Sequence, residues 1–176
     1  HVGRLHPQKN HDFLIDVFAE IKKKQPDAEL ILVGTGPLEE KVRSKVADKG
    51  LTESVQFLGN RKDMNRIYQA MDIFVFPSLF EGLGIVAIEA QAAGVPIVCS
   101  EGLPPETDIT PIYRKLMLSD GAEKWAEAAI EMAQSSKAHT NMQKYIIDAG
   151  FDMNATAKNM EEYYLEKEAQ IREKNK

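Results

Sequence analysis

The chain has one cysteine, one tryptophan, and 22 basic residues against 27 acidic ones among its 176. A single thiol, Cys99, can build neither an internal disulfide framework nor a cysteine metal cluster. It fits a reducing compartment, and a cytoplasmic location is expected. A net charge of −5 leaves too few cations for a phosphate-neutralising face, so no nucleic-acid partner is expected. No apolar run approaches the ~20 residues that a membrane-spanning helix needs, and no signal peptide is visible. Zinc and phosphate-loop patterns are absent, and His1, His6, His11 and His139 lack ligand spacing. No metal and no cofactor are therefore expected.

What is present reads as one α/β domain. The 43% hydrophobic content suffices for one core. Strand-length apolar runs at Ala28–Gly34, Val55–Leu58, Ile73–Pro77 and Pro96–Ser100, with Lys115–Leu118 as a fifth, alternate with helical patterns. That alternation predicts a doubly wound parallel sheet. Helices are predicted over His11–Lys24, Leu38–Lys49, Asp63–Met71 and Gly84–Ala93, with Pro37 at the first position of the second and Gly50 as its stop. After Leu118 a helix through Ala133, then Ala138–Ala149 and Asn154–Arg172, predict a helical C-terminal tail with a ragged charged end after Glu168. The expected layout is a single domain over residues 1–176, with a sheet region 1–118 and a tail 119–176. His1-Val2-Gly3-Arg4 reads as the end of a strand, so the chain is expected to be a piece of a longer polypeptide.

Open α/β sheets bind ligands at the carboxyl ends of their strands. The loops there are Gly3–Lys9, Gly34–Pro37, Gly59–Arg61, Ser78–Gly84 and Glu101–Glu106. In the fourth, a strand ends, Glu81 follows, and two glycines open an apolar helix. The free N–H groups of Gly82, Leu83, Gly84 and Ile85, with the helix dipole, suit phosphate oxygens. Glu89 lies further along a run of small and apolar residues, where a desolvated carboxylate needs partners. A ribose diol would satisfy it, and so would a neighbouring lysine or arginine. Glu81 could reach past the phosphates to a sugar, or serve only as a charge at the helix start. Gly34-Thr35-Gly36 is a tight turn rather than a dinucleotide fingerprint, because Glu39 stands where the third glycine belongs. Cys99 reads as inert packing, and His6 and His11 as solvent-facing or lying behind the site.

Glu81 and Glu89 sit in the setting P-S-x-x-E-G-x-G-x-x-x-x-E-A-x-A-x-G-x-P. This resembles the donor site of retaining GT-B glycosyltransferases of the family-4, or "glycosyl transferases group 1", type. Gly3-Arg4-Leu5 with Lys9, the Val33–Leu38 turn, Phe57-Leu58-Gly59, and Ala70-Met71-Asp72 through Pro77-Ser78 resemble further blocks of that family, in the same order. The resemblance implies a Rossmann-like, C-terminal, donor-binding lobe. It implies that Arg4 and Lys9 neutralise the donor diphosphate, that Gly3 belongs to the donor-binding residues, and that Glu81 contacts the sugar. It implies that Glu89 accepts from the ribose, that Gly82, Leu83, Gly84 and Ile85 cradle phosphate, and that Asn60, Arg61 and Met64 meet the nucleobase. The donor would be a nucleoside-diphosphate sugar, UDP in preference to GDP. The acceptor would bind an N-terminal lobe of the same polypeptide, with peripheral contact of the full-length enzyme to the inner membrane face.

Two stretches depart from the family: Glu101–Thr107 in place of a glycine pair, and Asp108–Tyr113 in place of a glycine-rich run. That variation resembles enzymes of bacterial capsule and exopolysaccharide assembly. A GT-B epimerase or phosphorylase lobe, and a non-catalytic interaction lobe, are the competing readings.

Overall fold

The computed structural model describes residues 1–134 and 139–174. Its strands are parallel. β1 (Leu30–Val33) pairs with β2 (Val55–Gly59), and β3 (Phe74–Phe76), β4 (Ile97–Ser100) and β5 (Tyr113–Leu116) form a second ladder in that order. The expected α/β architecture is present, but the sheet is divided. Between β1 and β3 stands only a stub in which Val2 bridges Val33 in parallel. The fifth strand lies two residues earlier than expected. Leu118–Asp120 closes into a 3₁₀ turn held by the Asp120 carboxylate, which accepts from Met117 N at 3.0 Å.

Helix α1 (His11–Lys24) keeps its expected bounds, because His11, Leu14, Ile15, Val17 and Phe18 repeat at the spacing that buries one face. α2 (Glu39–Asp48) starts later than expected, and Pro37 is not its first residue. The turn is occupied first: Leu38 N donates to Leu5 O at 3.1 Å, so the chain must clear Leu5 before it can coil. Gly50, at φ +68°, follows its end. α3 (Met64–Gln69) and α4 (Ile85–Ala92) flank β3, and α5 (Gly121–Ala133) packs on α1 with Trp125 edge-on to Phe13 at 5.4 Å. Residues His1–Met142 make one compact unit. A second, Gln143–Lys176, contains α6 (Gln143–Asp148) and α7 (Met153–Lys174). The helix expected from Ala138 begins at Gln143. Ala138 itself lies outside the described residues, and His139 is left-handed (φ 56°), its amide bound to Gly94 O at 2.8 Å. The end beyond Glu168 stays helical, helped by an Arg172–Glu168 pair at 2.6 Å.

The first unit has two apolar clusters. One joins α1, β1 and α5 around the buried Trp125; the other joins β3, β4 and α4 around Phe74, Phe76 and Ile97. Each fully buried Phe or Ile there contributes about 1.5–3 kcal/mol. A polar clamp fixes the loop after β4. Gln91, fully buried on α4, donates to Thr107 O at 2.8 Å and accepts from Thr110 N and Oγ1 at 3.2 and 2.8 Å. Gln91→Ala strands these groups in a dry site and is expected to cost about 3 kcal/mol. Urea denaturation checks this; a loss below about 1 kcal/mol would mean that other groups take over the bonds.

Candidate functional site

Parallel strands place all their carboxyl ends on one rim, and the loop following β3 is braced there by two other segments. Leu79 N donates to Gln8 O at 2.8 Å, Glu81 N to Gly102 O at 3.0 Å, and Ser100 Oγ to Ser78 O. Three segments remote in sequence are thereby stitched together. Glycine is required at 102: a Cβ there would lie 2.3 Å from Leu79 O.

Lys9 and Glu81 meet in this corner. Lys9 Nζ donates to Glu81 Oε1 at 2.6 Å, and the two side chains are only 15% and 7% exposed. The ammonium also lies 4.9 Å from the centre of the Phe76 ring. Gln8 Nε2 donates to Phe80 O at 2.9 Å and approaches Glu81 Oε2 at 3.5 Å. Gly3 lies under the same lysine, since a Cβ on it would stand 3.2 Å from Lys9 Cδ and Cε. Lys9 closes a 3₁₀ turn, Pro7–Lys9, that runs into α1 through left-handed Asn10 (φ 53°). Arg4 is exposed near the start of this loop.

α4 supplies the second wall. Gly84 is its N-cap at φ +69°, a conformation that suits glycine, and Gly82, Leu83 and Ile85 are exposed around it. The first amides of α4 have no carbonyl one turn earlier to bind. Glu89 corrects an expectation. It is not buried among its apolar neighbours but exposed on α4, on the side of Ile85. Alternation of small and apolar residues hid this, because the helix buries Ala87, Ile88, Ala90 and Gln91 on the other side. Among the described residues its partner is neither lysine nor arginine: the buried Tyr68 on α3 donates its hydroxyl to Glu89 Oε2 at 2.9 Å. Burial, and then the bond to Glu89, push the Tyr68 hydroxyl pKa far up.

Asn60, Arg61 and Met64 lie on or just after the loop following β2. Asn60 is exposed, with Thr35 Oγ1 at 3.5 Å from its Oδ1. Arg61 is engaged with Asp63 by two bonds of 2.8 and 2.7 Å, which hold the Asp63 carboxyl down at about 2. Met64 is half-buried at the start of α3. Cys99 is fully buried, and burial pushes its thiol up to about 12, as inert packing requires. His6 is exposed.

His11 is buried against the His1 ring, with centroids 4.8 Å apart, and both its ring nitrogens lack a partner among the described residues. Burial, then the positive amino terminus and Lys9, bring it down from 6.5 to about 4. The unfolded chain therefore binds more protons between those values, and stability falls as pH drops from about 6.5 toward about 4. The full loss is on the order of 3 kcal/mol. Urea midpoints across that window should fall steadily, and His11→Phe should lessen the slope, the remainder coming from the His1 amine, which burial lowers from 8.0 to about 5; an unchanged slope in the variant would assign the effect elsewhere.

The structure thus unites Gly3, Lys9 and Glu81, and separately exposes Glu89 on the helix that Gly84 begins. Gln8 and Tyr68, which position the two carboxylates, were not singled out from sequence. Gln8 sits in a loop without periodicity, and Tyr68 reads as an ordinary core residue of α3.

Residues 1–149 match the family model described as Glycosyl transferases group 1. The chain belongs to this family. EpsF of Bacillus subtilis (strain 168), which carries the name of a glycosyltransferase, is 34% identical over 138 residues, covering 78% of this chain and 36% of EpsF. A GDP-mannose-dependent monoacylated alpha-(1-6)-phosphatidylinositol monomannoside mannosyltransferase of Corynebacterium glutamicum is 37% identical over 140 residues, 74% of this chain and 36% of that protein. The chain thus spans about a third of the curated relatives it matches. Among solved structures, Anabaena Alr3699/HepE in complex with UDP and glucose superposes with a TM-score of 0.78 at 22% identity, covering 94% of this chain and 47% of that one, a likeness of fold.

Proposed function

We propose that this chain is the C-terminal, donor-binding lobe of a retaining glycosyltransferase that uses a nucleoside-diphosphate sugar. The observation that carries the reading is the corner in which Lys9 meets Glu81 beside the glycine-opened helix α4, in a member of this family. Arg4 and Lys9 face the diphosphate, the amides of Gly82–Ile85 take its oxygens, and Glu89 takes the ribose with the oxygen that Tyr68 leaves free. Asn60, Arg61 and Met64 border the base. Transfer breaks the bond from the anomeric carbon to the phosphate oxygen. The electron pair leaves with the diphosphate, and the acceptor oxygen bonds to the same face of that carbon while its proton passes to the departing phosphate. Two cations stabilise the charge that develops. Glu81, tied to Lys9 at 2.6 Å, is a poor nucleophile, which supports transfer without a protein-bound intermediate.

UDP is the proposed carrier, in keeping with the UDP held by HepE, and the GDP-mannose dependence of the corynebacterial relative makes GDP the comparison. The acceptor lobe is proposed to lie in the same polypeptide, and the work to be bacterial polysaccharide or glycoconjugate synthesis on the cytoplasmic side of the membrane. Calorimetric titration of the chain with UDP, GDP, UDP-glucose and GDP-mannose tests the core of this. Binding by at least one of them is expected, weakened tenfold or more by Glu89→Ala. Silence from all four would sink the reading.

A further inference from the structure

Tyr68 ties together the two helices that flank β3. Its ring stands edge-on to Phe74, with centroids 6.2 Å apart, and the residue is only 3% exposed. Its hydroxyl reaches α4, where Glu89 Oε2 lies at 2.9 Å and Val86 O at 3.4 Å. A phenol has one proton to donate, and the charged acceptor at the shorter distance takes it. The hydroxyl stays protonated, since burial and the neighbouring carboxylate both oppose its ionisation. Glu89 Oε2 is therefore held by a donor that is itself held by packing. An exposed glutamate thereby loses the rotational freedom that such a side chain otherwise keeps.

We propose that Tyr68 is a positioning residue, which fixes Glu89 so that the site selects a ribonucleotide over its 2′-deoxy counterpart. The inference rests on the donor-lobe reading and adds to it the source of a selectivity. Glu89 follows Ile85 by one turn, about 6 Å along the axis at roughly 1.5 Å per residue. That step is comparable with the reach from a phosphate on the first amides of α4 to the sugar beside it. A carboxylate repels phosphate and takes only donors, and ribose offers two neighbouring hydroxyls where 2′-deoxyribose offers one. A pinned acceptor cannot follow whichever hydroxyl remains, so the missing one costs affinity. A free glutamate would turn to the remaining hydroxyl or to water. Because Glu89 is exposed, water softens the penalty, and the discrimination is expected to be about tenfold rather than the roughly 10⁴-fold of a dry site.

The test is calorimetric titration of the 176-residue chain and its variants with UDP, 2′-deoxy-UDP, GDP and 2′-deoxy-GDP. The parent should bind the ribonucleotide of at least one pair about tenfold more tightly than its deoxy partner. Tyr68→Phe keeps the ring on Phe74 and should bring that ratio within about threefold, by weakening the ribonucleotide and sparing the deoxy form. A merely structural role would weaken both alike, and a ratio left standing in this variant would overturn the proposal. Glu89→Ala, a change at an exposed position, should collapse the ratio by itself, and Tyr68→Phe added to it should lower neither affinity further. A parental ratio in Glu89→Ala, or a further loss in the double variant, would show that Tyr68 does not act through Glu89 and would equally defeat it. Silence from all four nucleotides in the parent removes the donor-lobe reading and this inference with it. Binding of a ribonucleotide and its deoxy partner with equal affinity removes this inference alone.

Discussion

Replacing Lys9 with methionine is expected to lower transfer by the full-length enzyme about 10²–10³-fold, the scale for losing one fixed charge at a developing anion. The variant has a second effect, which must be separated from the first. The Lys9 side chain is 15% exposed and that of its partner Glu81 7%, so removing the cation leaves a nearly dry carboxylate supported, among the described residues, only by Gln8. A broken buried pair costs more than the pair contributes, because the surviving charge is uncompensated. Lys9→Met alone should therefore both unfold more easily and transfer poorly. Lys9→Met combined with Glu81→Gln neutralises the corner at similar volume, and should recover most of the stability and none of the turnover. Single-turnover rates and urea midpoints on the same samples decide the matter. Turnover in the double variant within a few-fold of the parent would make the pair a brace and nothing more.

Gly102→Ala is expected to weaken nucleotide binding tenfold or more and to destabilise the lobe by about 3 kcal/mol. The added methyl would sit 2.3 Å from Leu79 O and 2.8 Å from Ser78 O, both backbone atoms that cannot swing aside. Relief requires moving the segment that carries Glu81, whose own amide is bonded to Gly102 O. Gly82→Ala is the matched control for stability alone, since its amide belongs to the proposed phosphate cradle. It lies four residues from Ser78 on the same loop, and a Cβ there meets no protein atom within 4 Å. A Gly82 variant of parental stability beside a destabilised Gly102 variant would locate the requirement in close approach. Parental affinity in Gly102→Ala would refute it.

Much of this architecture is legible from residue order, and the parts that are not share one cause. Helix α1 was readable because its buried residues repeat at helical spacing, a property of the segment itself. Gly34-Thr35-Gly36 was readable as a turn, and its glycines prove to be where backbone meets backbone: Cβ atoms would lie 2.2 Å from Gly3 O and 2.3 Å from Leu5 O. Pro37 misled because the bond from Leu38 to Leu5, a contact with a distant segment, takes precedence over the usual place of proline. Glu89 misled for the same reason. Apolar neighbours in sequence suggested burial, but which face of α4 turns inward is set by β3 and β4. Tyr68, 21 positions earlier on another helix, carries no mark of its role until the fold brings it to Glu89.

The Lys9–Glu81 contact spans 72 positions of sequence. A wall built from such distant parts cannot persist in a partly unfolded chain, since closing that loop costs entropy which only the assembled sheet repays. A ligand held there is therefore coupled to global unfolding rather than to fraying of one loop. It should raise the stability of the whole first unit by RT ln(1 + [L]/Kd), about 2.7 kcal/mol at a hundredfold excess over Kd. A melting curve that follows only Trp125, remote in sequence from both residues, would then report occupancy of the site.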